Sequence, residues 1–294
     1  MRAQSGTAPA VRAPNETTRT PCVQGPREVE RSAMTQTTPE APVRRQRAQV
    51  KVRTLRTDRW WLVPLLTFLG LSSFLVYGVW AIIDGSYFVD PYIAPFASPC
   101  LTTACPEGAR LFGWAPIGDW FTLPPGLLIL GLPGGFRLTC YYYRKSYYRS
   151  FWLSPAACAV QEPHGKYTGE TRFPLIIQNI HRYFFYAAIL IGLVLAYDAV
   201  LALVHKPQGL GTWILVVNAV LINTYTLSCH SCRHITAGRL NHFSRHPLRY
   251  RAWTFVSKLN AKHQQLAWAS MFSVMIADFY VRMVAKGVIA FPFA

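Results

Sequence analysis

Two cysteines and two histidines fall within the short stretch Cys229-His230-Ser231-Cys232-Arg233-His234, at the end of a long apolar run. Thiolate and imidazole are the side chains that hold zinc, haem iron and iron-sulfur clusters. At about 100° per residue, a regular helix would put Cys229 and Cys232 on one face and His230 and His234 on another. All four cannot then aim at one metal, so either the helix breaks here or the ligands are divided. A break near Ser231 would turn Cys232-x-His234 into a loop pair, the spacing that offers one thiolate and one imidazole to a Rieske-type centre. The remaining ligands must then come from elsewhere in the chain. A zinc site and an unligated structural knot are the competing readings.

Composition says what kind of scaffold carries this knot. The 294 residues are 51% hydrophobic and 14% aromatic, yet the formal charge is +17 with only 13 acidic residues. These facts conflict in a water-soluble domain and agree in a polytopic membrane protein, whose apolar spans face lipid while Lys and Arg crowd the cytoplasmic loops. Nucleic-acid binding is excluded, because the basic residues sit between long apolar runs instead of forming one continuous face.

Residues 1–59 are rich in Pro, Thr, Arg and Gln and read as a disordered basic cytoplasmic tail, with no signal-peptide apolar region and with Met34 as a second candidate start. Residues 60–290 form the membrane domain. The first span, Trp60 to Ile83, follows Arg53, Arg56 and Arg59, which puts the N-terminus inside. The loop Asp84 to Trp120 has one basic residue, Arg110, and belongs outside, where Cys100 and Cys105 are expected to close a disulfide. A Pro-interrupted second span runs from Phe121 through Tyr143. Leu175 to Val204, Thr212 to His230 and His263 to Val284 complete an all-α bundle of five transmembrane helices, N-terminus inside and C-terminus outside. Asp278 and Arg282, at i,i+4 spacing in the last span, are expected to satisfy each other.

This topology gathers Cys140, Cys158, His164, His181 and Cys229 to His234 at the inner face, where helix ends can converge on a cofactor. Residues 140–145 (CYYYRK), 162–174 (EPHGKYTGETRFP), 178–184 (QNIHRYF) and 229–234 (CHSCRH) resemble the single, cytochrome b-like membrane anchor of actinobacterial, mycobacterial-type succinate dehydrogenase, respiratory complex II. The likeness extends over about residues 60 to 290.

The resemblance implies a multi-pass subunit of the bacterial plasma membrane, working with a flavoprotein subunit that oxidises succinate and an iron-sulfur subunit that relays electrons. The anchor would reduce a quinone, with menaquinone expected, and a trimer of complexes is a further expectation. The resemblance also implies a membrane-embedded Rieske-type [2Fe-2S] cluster. Its thiolates are expected from among Cys140, Cys158, Cys229 and Cys232, and its imidazoles from among His181, His230 and His234, with His164 a further candidate. The alternative cofactor is haem b held by His181 with His230 or His234. His164, Tyr167, Arg172 and Arg182 are the quinone candidates. No dinucleotide-binding fingerprint is present, so succinate oxidation is assigned to a partner. Two other classes remain in competition: a transporter using Asp198, Asp278 and Arg282, and a zinc-dependent membrane enzyme, which would lack H-E-x-x-H.

Overall fold

The computed structural model describes residues 58–158, 160, 172–205, 208–238 and 240–289. Nearly all of the expected tail lies outside them. Eight α-helices are described: α1 Leu62–Ile83, α2 Pro125–Thr139, α3 Tyr141–Phe151, α4 Arg172–Val204, α5 Leu210–Leu227, α6 His230–Ala237, α7 Pro247–Asn260 and α8 His263–Ala285. A two-stranded antiparallel ribbon, β1 Phe88–Val89 with β2 Tyr92–Ile93, lies in the α1–α2 connection.

Among the described residues, four helices are long and apolar enough to cross a membrane: α1, α4 over Ile176–Val204, α5 and α8. Their outward faces are apolar; on α1 only Gly78 and Ala81 are buried, while Val63, Leu66, Val76 and Ile83 are well exposed. Such a surface suits lipid, which rewards apolar contact all round a helix. The expected second span is α2, whose 15 residues extend about 22 Å, short of the roughly 30 Å hydrocarbon core. It nevertheless starts beside Ile82 at the end of α1 and finishes against His181 in the early turns of α4. It therefore returns the chain from one end of the bundle to the other.

Small residues set the helix spacing. A Cβ on Gly135 of α2 would meet the Phe184 ring of α4, and one on Gly192 of α4 would sit 2.7 Å from Asn223 Oδ1 of α5. Asn223 Nδ2 donates to the Gly192 carbonyl at 2.9 Å, the kind of interhelical bond that replaces hydrophobic driving force inside lipid. Two of the three buried clusters involve these helices. One, Ala-rich, includes Tyr92, Ala199, Ala202, Ala277 and Val281; the other includes Phe136, Cys140, Phe185, Tyr225, Cys229 and Met271.

The α1–α2 connection folds as a cap, closed by the expected Cys100–Cys105 disulfide. The cap is pinned to the helices by buried charge. Arg282 Nε donates to Asp278 Oδ2 at 2.6 Å, as the i,i+4 spacing anticipates, and Arg282 Nη1 reaches the Asp84 carboxylate at 3.2 Å. Asp278 also accepts from the Tyr77 hydroxyl and the Phe96 backbone N–H, and Lys286 pairs with Asp84.

Candidate functional site

The site lies at the bundle end opposite the cap and begins with two helix breaks of the same design. α2 stops at Thr139, Cys140 adopts an extended conformation (ψ 133°), and α3 begins at Tyr141. α5 stops at Leu227, Cys229 is likewise extended (ψ 148°), and α6 begins at His230. Each break thus leaves a cysteine at the N-cap of the following helix, with a hydroxyl residue, Thr139 or Ser228, just before it. Cys229 Sγ accepts from the Ser231 N–H at 3.4 Å. The break falls at Ser228–Cys229, three residues before Ser231, because the Ser228 carbonyl is taken by Asn260 Nδ2 of α7 at 2.8 Å.

Two histidines from the starts of other helices enter this pair of breaks: His181 in α4 and His263, the first residue of α8. The Thr139 hydroxyl donates to the Gly135 carbonyl at 2.7 Å, so its oxygen is left to accept from His181 Nδ1, also at 2.7 Å. The Ser228 hydroxyl donates to the Tyr225 carbonyl at 2.7 Å and is left to accept from His263 Nδ1 at 2.6 Å. Both rings are thereby fixed with Nδ1–H outward and the Nε2 lone pair turned inward. His181 Nε2 lies 3.2 Å from Cys229 Sγ, and His263 Nε2 lies 3.5 Å from Cys140 Sγ. The arrangement is crossed: each hydroxyl–cysteine pair orients one imidazole and meets the other with its sulfur. Fixing the tautomer through the second ring nitrogen is what metal-binding histidines require of their surroundings.

Aromatic rings wall the site. Phe136 stacks on His181 at 4.8 Å and 4°, and Tyr225 on His263 at 5.1 Å and 9°. The Tyr225 hydroxyl is fully buried and, among the described residues, has no partner at full hydrogen-bond geometry, although it interacts with the Cys140 thiol. Arg137 lies over the Tyr225 ring at 5.0 Å, and Arg144 is buried one turn beyond Cys140.

Among the described residues, no three of His, Cys, Asp and Glu form a group that could hold a metal ion. Two Cys–His contacts, with four deprotonatable or lone-pair donors between them, are instead the ligand count of a two-iron centre with mixed ligation. The donor set and the buried Tyr225 hydroxyl beside it fit such a group.

Other expected residues fall elsewhere. Cys232 and His234 are on α6, not in a loop pair; Cys232 is half-buried at the edge of the cluster, where burial pushes its thiol up, and His234 is exposed. His230 is also exposed, its ring 6.3 Å from that of His263. Cys158 is exposed, and Arg182 is exposed on α4. His164, Tyr167 and the Arg172 side chain lie outside the described residues. His263 is not among the candidates the sequence offers, because it marks the edge of the last apolar run and reads as a boundary. The recurrence of hydroxyl–cysteine at two helix ends, Thr139-Cys140 and Ser228-Cys229, is the signal that could have found the site.

Comparisons with known proteins bear on this geometry. The family described as the actinobacterial succinate dehydrogenase subunit SdhC matches residues 62–287. Among solved structures, a chain of the Mycobacterium smegmatis Sdh1 complex in the apo form is similar at 55% identity with a TM-score of 0.75, over 84% of this chain and 96% of that one. The comparison with curated proteins finds no match. The chain therefore belongs to the actinobacterial SdhC family and is a multi-pass plasma-membrane subunit of a succinate dehydrogenase complex.

Proposed function

We propose that this subunit anchors the flavoprotein and iron-sulfur subunits to the membrane and passes their electrons to a quinone, with menaquinone expected, through a Rieske-type [2Fe-2S] cluster held by Cys140, Cys229, His181 and His263. The observation that carries this reading is the crossed pair of contacts, in which Thr139 and Ser228 turn two Nε2 lone pairs onto two buried thiols. When bound, such a cluster supplies a one-electron relay at about −150 to +300 mV, well above an all-thiolate centre. The residues around it have separate tasks. Phe136 and Tyr225 exclude water from the ligands, and the Tyr225 hydroxyl offers a hydrogen bond that tunes whatever accepts it. The guanidinium groups of Arg137 and Arg144 favour the added negative charge of the reduced state.

A mostly apolar cavity of about 90 Å³ runs from Phe136, Arg137 and Tyr225 toward the cap and is the candidate quinone slot, with Arg137 and Tyr225 as donors to a quinone carbonyl. Arg182, with His164, Tyr167 and Arg172 of the preceding loop and helix start, are proposed as contacts for quinone on the partner side. The five-pass arrangement with N-terminus inside is supported by the disulfide in the cap, which belongs in an oxidising compartment. Arg233, Arg245, Arg249, Arg251 and Lys258 on and around α6 and α7 then face the partner subunits.

The test uses the intact complex. Cys229→Ser and His263→Ala should each lower succinate:quinone activity by at least about a hundredfold while succinate oxidation by a soluble dye continues, as expected when an obligatory relay is removed. Quinone reduction at the wild-type rate in both variants would refute the assignment.

A further inference from the structure

Asp198 is the one carboxylate of α4, near its cap end, and it is treated differently from the other cap-end carboxylates Asp278 and Asp84. Asp278 and Asp84 are neutralised by Arg282 and Lys286. Among the described residues no cation pairs with Asp198, which accepts from the Ser98 hydroxyl at 2.5 Å. Arg110 lines the same hollow, but its guanidinium is engaged by the Thr103 and Cys105 carbonyls. A carboxylate at membrane depth without a counter-ion is expensive, and such groups recur in proton relays.

Ser98 joins two spaces. It lines the cavity of about 90 Å³ that ends at Arg137 and Tyr225, and it also lines a cap-side hollow of about 20 Å³ that Asp198 shares. Along α4, Ala188, Ile191 and Leu195 form one wall of the larger cavity between His181 and Asp198, which the helical rise separates by about 26 Å. The larger cavity has room for several waters or for part of a ring system, and a serine hydroxyl can accept a proton on one side while donating on the other.

We infer that Asp198 and Ser98 form a proton-transfer route from the cap face to the cavity that ends at the Cys/His site. This rests on the quinone-reducing reading above. Succinate oxidation to fumarate releases two electrons and two protons on the partner side. Reduction of a quinone to its quinol takes up two electrons and two protons, and those protons come through Asp198 from the cap side. Asp198 in its acid form gives its proton to Ser98, whose own hydroxyl proton passes into the cavity, and the carboxylate is reprotonated from the cap-side hollow. Electrons and protons thus approach the quinone from opposite faces.

The experiment is the whole complex in proteoliposomes with quinone in the bilayer and a pH dye in the lumen. Impermeant succinate added outside drives only those complexes whose partner subunits face out. Wild type should make the lumen alkaline by two protons per succinate. Asp198→Asn and Ser98→Ala should slow quinone reduction by about a hundredfold, the contribution of a positioned proton donor, and abolish luminal uptake, with succinate:dye activity unchanged. Asp198→Glu and Ser98→Thr should recover both. Quinone reduction by wild type without a luminal pH change, or by Asp198→Asn at the wild-type rate, overturns the route and leaves the electron path standing. Equal loss in Asp198→Asn and Asp198→Glu, together with dye activity, marks a structural residue and also overturns it. Failure of wild type to reduce quinone at all overturns the electron path and the route with it.

Discussion

The two ends of the bundle spend their buried polar groups in opposite ways. At the cap end, Asp278 accepts from Tyr77, Phe96 N–H and Arg282, and Asp84 accepts from Arg282 and Lys286. Burial pushes the Asp84 carboxyl up, but the hydrogen bonds from Lys286 and Arg282 outweigh it and hold the group below the usual carboxylate range. At the other end two thiols face two imidazole lone pairs, and the Tyr225 hydroxyl is buried against the Cys140 thiol. A self-satisfied network holds the fold; an incompletely satisfied one, with every ring locked in place, is built to receive something. The comparison separates the Asp84, Asp278 and Arg282 network, which keeps the chain assembled, from the Cys/His end, which is proposed to keep it active.

Substitutions should separate the two ends in the same way. The largest effect expected is on activity alone: His263→Ala removes a proposed ligand and should abolish quinone reduction with the assembled complex still recoverable from membranes. The reverse pattern is expected at the cap. Asp278→Asn leaves the Arg282 guanidinium buried without its counter-charge and should cost about 3–5 kcal/mol, read as a loss of thermal stability of the purified complex, while the fraction that survives reduces quinone normally. A smaller effect should follow Thr139→Val or Ser228→Ala, which release the tautomer of one imidazole; retention of iron by the subunit should weaken about 10–100-fold. His234→Ala, an exposed site on α6, should leave stability within about 0.5 kcal/mol and quinone activity unchanged. An inactive His234→Ala complex would blur the contrast, since it would move the relay onto the exposed helix.

Much of this division is legible in the sequence, and the failures have local causes. The uncharged run before Ile83 and the i,i+4 pair Asp278 and Arg282 state their roles through length and spacing alone. Cys140, His181 and Cys229 could be named as candidates because their types are rare at apolar helix ends. Which cysteine partners which histidine could not be read, because the break at Ser228 is set by Asn260 from another helix and the ring orientations by hydroxyls 42 and 35 residues distant. Cys232 and His234 looked as eligible as Cys229 because composition cannot see that α6 resumes immediately after the break. The span count was set by apolar content, whereas α2, with Pro133 inside it, is only 15 residues long.

The most direct test is a low-temperature EPR spectrum and iron analysis of the dithionite-reduced complex, wild type against His263→Ala. The proposed ligation predicts a Rieske-type signal in the wild type, distinct from those of the partner subunits' centres, and its loss with two irons per complex in the variant. An unchanged signal and iron content in His263→Ala, or a reduced haem band with no Rieske-type signal in the wild type, would contradict it.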